Sequence, residues 1–224
     1  MKNAYKVTTL LSALALCLFL VTPSYAIVLD FEGLGNLDYI NEFYNGGTSS
    51  MGYSGTNYGV SFSSNARSII DSDAGGTGNF GNEPSPSTIL FFLDGDAAIM
   101  SLSSGFDTGF SFYYSSIDYL GSVDVWSGLD GDGDLLASVQ LPTTPQDGGD
   151  PNGYYSPFVA FGIAFEGIAH SVSFGGVVNR IGFDDVTFGS VTPGPATVPE
   201  PGTFILMGLG LAAFLGIARR RRNA

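Results

Sequence analysis

Alternating aspartates in one short segment are the clearest sign of cation chemistry in this chain. Asp130, Asp132 and Asp134 are separated by single glycines, and oxygen atoms two residues apart can converge on one hard cation such as Ca²⁺. The rest of the calcium-loop pattern is absent, because Leu135 takes the place of its glycine and Leu141 the place of its final glutamate. The same residues suit a hairpin turn, in which Asp-Gly pairs supply positive φ. The segment therefore predicts either a turn or a calcium site.

A second set of carboxylates lies at the two ends of residues 27–190, the central region of the chain. Asp30 and Glu32 belong to the first predicted strand, and Asp184 and Asp185 belong to the last. If these strands pair, the four acidic side chains meet, and a bound cation such as calcium would relieve their repulsion. Solvated acids on two terminal strands are the alternative.

Aromatic side chains supply candidates for glycan binding, because the CH faces of sugars pack on rings. Trp126 lies beside a predicted turn, and Tyr154 and Tyr155 lie in a predicted loop. Each of the three could instead be a core residue. The sequence therefore predicts a glycan contact without fixing which ring makes it.

Signals for enzyme chemistry are weak. The only histidine, His170, starts a predicted strand, and the sequence has no Gly-x-Ser-x-Gly elbow, zinc signature or phosphate loop. We therefore expect a non-enzymatic protein. A glycosidase needs only two carboxylates, so a secreted polysaccharide hydrolase that uses paired carboxylates is the alternative.

The elements that must position these residues are short alternating runs bounded by Gly, Asn, Asp or Pro, which are typical of all-β proteins. The apolar residues of the last run change phase between Phe183 and Val186, which predicts a β-bulge at Asp184 and Asp185. Residues 36–57, 70–87 and 142–157 are predicted to be long loops. The ten predicted strands are 27–32, 58–63, 88–93, 97–102, 109–115, 122–127, 135–141, 158–165, 170–175 and 180–188.

Charge restricts the partners of the central region. Residues 27–190 are enough for one domain with a substantial core, and they contain 20 acidic residues against Arg67 and Arg180, a formal charge of −18. Nucleic acid is excluded as a partner, because binding to it requires cationic side chains. Cations, neutral glycans and basic proteins remain.

The N-terminus predicts export. Lys2 and Lys6 precede an apolar stretch at 10–21, and small residues lead to Ala26, so residues 1–26 are a predicted signal peptide for the Sec translocon, cleaved after Ala26. Cys17, the only cysteine, lies inside this segment. The mature chain would thus contain no disulfide.

The C-terminus predicts sorting. A predicted linker at 191–198 leads to Pro199, Glu200 and Pro201, an uncharged apolar run at 203–218, and four arginines, which are Arg219, Arg220, Arg221 and Arg222. The apolar run predicts a short transmembrane helix held by the arginines. Residues 199–224 resemble the PEP-CTERM sorting signal of Gram-negative bacteria. That resemblance implies processing by an exosortase, transient membrane anchoring, and delivery to the cell surface or extracellular matrix. An ordinary membrane anchor is the alternative.

The central region, 27–190, has a fainter resemblance at its two ends. The segments Leu-Asp-Phe-Glu at 29–32 and Ile-Gly-Phe-Asp-Asp-Val at 181–186 are similar to the ends of jelly-roll carbohydrate-binding modules, which often carry structural calcium. We therefore expect an all-β, jelly-roll-like β-sandwich. Its expected role is structural or adhesive, in contact with exopolysaccharide or biofilm, with glycan or calcium binding.

Overall fold

The structure is a computed structural model of the chain, and it describes residues 26–146 and 153–194. These residues contain strands, turns and loops, and none of them belongs to a helix that could span a membrane. The prediction of an all-β protein is confirmed. The strands in chain order are β1 (Ile27–Leu29), β2 (Val60–Phe62), β3 (Ala66–Ile70), β4 (Thr88–Phe92), β5 (Ala97–Phe106), β6 (Phe110–Ser115), β7 (Gly121–Trp126), β8 (Leu135–Leu141), β9 (Val159–Ile163), β10 (Ala169–Gly175) and β11 (Gly182–Phe188).

The strands form two antiparallel sheets. Sheet A has the order β3-β4-β11-β6-β9, and its sixth strand, β1, also pairs with β11. Sheet B has the order β2-β5-β10-β7-β8. From β4 onward most connections cross from one sheet to the other, so that the inner faces of both sheets close one core.

The core between the sheets is dominated by phenylalanine rings. Phe110, Phe112, Phe174 and Phe183 are all fully buried. Phe174 and Phe183 meet edge to face with ring centroids 4.9 Å apart, and Phe112 lies 5.6 Å from Phe183. Successive side chains of a strand point to opposite faces, so these rings alternate with residues on the outside.

The last strand contains the predicted bulge. Phe183 and Val186 are both completely buried although they lie in opposite phases. The register between β11 and β6 slips between Asp184 and Thr187, and Asp185 within the slip has φ of +45°. The extra residue keeps both apolar side chains in the core, which is the physical reason for the bulge.

A second apolar cluster covers the outer face of sheet A. Ile69 of β3 and Ile89 and Phe91 of β4 form it together with Phe80 and Phe158 from two loops. These strand residues alternate with members of the central core, so they point away from it. The loops that carry Phe80 and Phe158 therefore pack on the outside of the sandwich.

All ten predicted strands are present, and β3 is the one described strand that the pattern did not predict. Its two polar residues obscure the alternation. Ser68 is buried and donates its hydroxyl to the carbonyl of Gly35 at 2.8 Å. The guanidinium of Arg67 lies 3.7 Å from the ring centroid of Tyr39. Both partners come from the loop between β1 and β2, so tertiary contacts stabilise a strand that the local pattern does not favour.

Candidate functional site

The pairing of β1 with β11 brings acidic side chains of the first and last strands together. Leu29 pairs with Val186, which places Asp30 close to Asp185. Burial is the main cause that raises the pKa of Asp185 to about 6, and repulsion from Asp30 adds to it. Asp184, which precedes Asp185, is completely buried. Three of the four carboxylates predicted to meet are therefore neighbours.

Asp184 is buried with hydrogen bonds to both of its carboxyl oxygens. The N–H of Ser85 donates to Oδ2 at 3.1 Å, and the N–H of Asp185 donates to Oδ1 at 2.7 Å. The Ser85 hydroxyl lies 2.8 Å from each oxygen. The pKa of Asp184 is raised to about 8, mainly by burial; the hydrogen bonds from Ser85 and Asp185 oppose this rise, and repulsion from the charge of Asp185 adds to it. Without a cation the carboxyl is mostly protonated at neutral pH.

The protonated form has a consistent hydrogen-bond chain. A proton on Oδ2 of Asp184 can be donated to Ser85 Oγ, and the Ser85 hydroxyl can then donate to the carbonyl of Asp30 at 3.1 Å. This chain connects β11, the segment before β4, and the residue after β1. It explains how a buried carboxyl is accommodated without a countercharge.

Glu32, the fourth predicted member, faces β4. Its Oε1 accepts the N–H groups of Ser87 at 2.9 Å and Thr88 at 2.8 Å. Phe31 lies between Asp30 and Glu32 in the sequence, and its N–H donates to the buried hydroxyl of Tyr44 at 2.8 Å. Burial, with repulsion from Asp30, raises the pKa of that phenol. Glu32 thus anchors the start of β4, and its role as a metal ligand stays a prediction.

Asp130, Asp132 and Asp134 lie in the turn between β7 and β8, which pair as a hairpin. Asp130 has φ of +57°, and its Oδ1 accepts the hydroxyl of Ser101 at 3.1 Å. Oδ1 of Asp132 accepts the N–H of Gly133 at 2.7 Å. The turn prediction is confirmed. Across residues 26–146 and 153–194 no three Asp, Glu, His or Cys side chains are grouped to hold a metal ion, and calcium at either acidic set stays a prediction.

The three aromatic candidates lie on opposite faces of the sandwich and so do not form one site. Trp126 is half-buried on the outer face of sheet B, where its indole N–H donates to Ser173 Oγ at 3.1 Å. Tyr154 and Tyr155 lie over the outer face of sheet A, with ring centroids 5.3 Å apart. Tyr154 is exposed and donates its hydroxyl to Asp118 at 3.1 Å. The structure therefore offers two separate aromatic surfaces.

A cavity of about 190 Å³ lies beside Tyr155. All five buried members of the second apolar cluster line it, so its floor is the outer face of sheet A. The loop that carries Tyr155 is held against the loop that carries Phe80 by the N–H of Tyr155, which donates to the carbonyl of Asn79 at 3.0 Å. The cavity is thus formed between sheet A and two loops that are hydrogen-bonded to each other.

The polar part of the cavity lining is rich in hydrogen-bond donors. Arg180 is exposed, and its Nη1 donates to the hydroxyl of Tyr155 at 3.1 Å. Asn79 and Asn179 also line the cavity. Ser115 also lines the cavity, and its buried hydroxyl has no hydrogen-bond partner among the described residues. Ser115 is completely buried, so this hydroxyl lies behind the cavity surface and is not presented to a ligand.

The sequence pattern predicted Tyr155 as a glycan-binding candidate and did not identify Arg180, which also lines the cavity. Arg180 is one of two basic residues between positions 27 and 190. The other, Arg67, donates to Tyr39 Oη and to the carbonyl of Leu37 at 3.4 Å, so it serves the fold. The rarity of arginine in this acidic region was the signal that could have identified Arg180.

A family model for the PEP-CTERM protein-sorting motif matches residues 197–222. The chain carries a PEP-CTERM motif. The motif implies an exported protein that is targeted to an exosortase and sorted to the cell surface of a Gram-negative bacterium. The comparison with curated proteins finds no match.

Two solved structures are similar to the described fold at low identity. One is the K3 cleaved adhesin domain of Lys-gingipain from Porphyromonas gingivalis w83, with 15% identity over 73% of this chain and 90% of that chain and a TM-score of 0.30. The other is the enzymatically active domain of tailspike protein 4 of bacteriophage CBA120, with 16% identity over 67% of this chain and 21% of that chain and a TM-score of 0.31. Neither likeness bears on function at these TM-scores.

The PEP-CTERM residues themselves lie outside the described part of the chain. These are Pro199, Glu200, Pro201, the apolar run at 203–218 and the arginines at 219–222. Residues 1–25 of the predicted signal peptide also lie outside it, and Ala26 is the first residue described. The predicted membrane helix and the predicted cleavage after Ala26 stay predictions.

Proposed function

We propose that this exported protein is a non-enzymatic surface or matrix protein with an adhesive role, and that its sandwich binds extracellular polysaccharide. The cavity on the outer face of sheet A is the observation that supports binding. Its apolar floor suits the CH face of a sugar, and its amides and hydroxyls suit the ring oxygens. Its volume of about 190 Å³ is below that of sites for drug-sized ligands, so it suits a single sugar ring.

We infer that the sandwich is a jelly roll. In that architecture eight strands of two Greek keys divide between two sheets. The order β4-β11-β6-β9 in sheet A and β5-β10-β7-β8 in sheet B supports this assignment. In this interpretation, β3 and β2 extend the two sheets at their β4 and β5 edges, and β1 pairs alongside β11.

Binding is tested with a glycan array and the full chain kept in nonionic detergent. We expect retention on acidic or neutral polysaccharides, and we expect Tyr155→Ala to reduce it because the ring lines the cavity. Trp126→Ala reports on the opposite face, and Tyr53→Ala, at an exposed tyrosine in the loop before β2, is the control. A chain that binds no glycan on the array would refute the binding role.

A polysaccharide hydrolase is the competing function, and the cavity favours binding over hydrolysis. Hydrolysis requires two carboxyl groups that flank the scissile bond. The described lining of the cavity contains no Asp or Glu, and Asp184 is covered by Ser85. His170 has its Nδ1 3.2 Å from the carbonyl of Leu102, away from that lining. We expect no new reducing ends after incubation with a bound polysaccharide, and their release would favour the hydrolase.

We also propose a structural calcium ion near Asp30, Asp184 and Asp185. The proximity of these carboxyl groups supports it, because a cation would relieve their repulsion. Carboxylate oxygens suit calcium, with backbone oxygens and water as further ligands, and Asp184 would exchange hydrogen bonds with Ser85 for contact with the ion. Calcium should raise the melting temperature and a chelator should lower it, since a ligand of the folded state stabilises that state. An unchanged melting temperature in both conditions would remove this proposal.

A further inference from the structure

We propose that the cavity on the outer face of sheet A recognises a carboxylated sugar, a uronic acid at the end or on a branch of a polysaccharide. This inference rests on the proposed glycan-binding function and adds the class of sugar. It is carried by the charge and the hydrogen-bonding character of the cavity lining.

The lining has a charge opposite to that of the rest of the central region. Residues 27–190 contain 20 acidic residues, yet none of the described residues that line the cavity is acidic. Arg180 is the single charged residue among them. A ligand carboxylate in the cavity would therefore meet one cation and no anion in the wall. Elsewhere on so acidic a surface such a ligand would be repelled.

The polar groups of the lining are mainly donors. Arg180 has five N–H groups and uses one of them on the hydroxyl of Tyr155. The hydroxyl of Tyr155 accepts that bond, so its own hydrogen is oriented away from Arg180. Asn79 uses its Oδ1 to accept the N–H of Tyr154 at 3.0 Å, which leaves its NH₂ group as a donor.

A donor-rich wall without carboxylates selects for a ligand that presents acceptors. A carboxylate offers two oxygens and accepts bidentate bonds from a guanidinium, which makes these bonds stronger than those of a neutral hydroxyl. The apolar floor of the cavity takes the CH face of the same ring. One sugar ring with a carboxylate on its edge satisfies both parts of the lining, and the small volume restricts recognition to a terminal or branch residue.

A carboxylate near Arg180 allows a substitution that should strengthen ligand binding. Asp118 accepts the hydroxyl of Tyr154 at 3.1 Å, and its negative charge acts on Arg180. Removing that charge should strengthen the binding of an anionic ligand. Asp107, an exposed acid between β5 and β6 that does not line the cavity, is the matched control for the change in net charge.

The test is isothermal titration of the full chain in nonionic detergent with two ligands. One is an oligosaccharide that ends in glucuronic acid, and the other is its counterpart with the carboxylate reduced, which ends in glucose. The wild type should bind the acid about tenfold more tightly, and Arg180→Gln should abolish that preference. Asp118→Asn should tighten binding of the acid about twofold, whereas Asp107→Asn should leave it unchanged. Added salt should weaken only binding of the acid, which tests the wild type independently of any variant.

Each failure has a distinct meaning. Equal wild-type binding of the two ligands, or a preference for acid that survives both Arg180→Gln and added salt, would overturn the uronate inference and leave glycan binding intact. Binding of neither ligand, together with an empty glycan array, would overturn glycan binding and the inference together. Binding of neither ligand by a chain that retains other glycans on the array would overturn only the inference.

Discussion

The buried carboxyl of Asp184 should make the stability of this protein depend on pH in an unusual direction. Folding raises the pKa of this group from its ordinary value of 3.8 to about 8, so the folded state binds the proton more tightly than the unfolded state. The stabilising contribution is complete below pH 3.8 and is lost as the pH rises towards about 8. Within that window the slope is about 1.4 kcal/mol per pH unit, which gives a loss of about 4 kcal/mol between pH 5 and pH 8.

Asp184→Asn isolates this effect, because the carboxamide cannot ionise. The free energy of unfolding at each pH is measured by urea unfolding in the presence of a chelator, and the transition is monitored by the fluorescence of Trp126. At pH 5 the variant should be less stable by about 1 kcal/mol, since one backbone N–H of Ser85 loses an acceptor. At pH 8 it should be the more stable protein. Asp107→Asn, at an exposed acid, should follow the wild type.

The refuting result is a constant difference in stability between wild type and Asp184→Asn from pH 5 to pH 8. That outcome would mean that Asp184 has the same proton affinity in the folded and unfolded states, and the account of its buried hydrogen-bond chain would be wrong. Calcium should flatten the wild-type curve if the ion binds beside Asp184, because it would stabilise the ionised form.

Three further predictions concern the core, a buried hydroxyl and sorting. Tyr44→Phe should destabilise the domain by about 1–3 kcal/mol, because the N–H of Phe31 loses its buried acceptor. The control Tyr119→Phe, at an exposed position, should change the free energy of unfolding by less than about 0.5 kcal/mol. Equal effects of the two substitutions would contradict the assigned hydrogen bond. Phe174→Ala should cost about 3–5 kcal/mol in urea unfolding because it leaves a cavity among the core rings, and a cost near that of Leu135→Ala, which is exposed, would contradict the core assignment. Glu200→Ala should leave the protein in the membrane fraction with its arginine tail, as detected by mass spectrometry, and normal release would argue against exosortase processing.

Ten of the eleven described strands could be predicted from the sequence, because apolar residues recur in short runs, and in strands such as β7 they alternate with less buried ones. The bulge of β11 could be predicted for the same reason, since Phe183 and Val186 can share a core only if the register slips. The meeting of Asp30 with Asp185 then followed from pairing the terminal strands. These features depend on local periodicity and on one topological assumption.

The cavity could not be predicted in this way. Its lining comes from β3 and β4, the loop at 77–80, the end of β6, the loop at 155–158 and the segment at 179–182, which are distant in sequence. The loop at 36–57 shows the same difficulty. It is organised by the buried carboxylate of Asp38, which accepts the hydroxyl of Ser50 at 2.6 Å and the N–H of Met51 at 3.0 Å. A buried acid has no periodic signature, because its partners are set only by the folded chain.

The position of β11 has a mechanical consequence. The C-terminus of the sandwich follows β11, which is flanked by β6 on one side and by β4 and β1 on the other. A pull transmitted through that terminus would load the hydrogen bonds on both sides of β11 in shear at the same time. An edge strand pulled from its end would instead peel away one bond after another. A domain held by its C-terminus against flow would thus resist the force with a strand that is paired to three others.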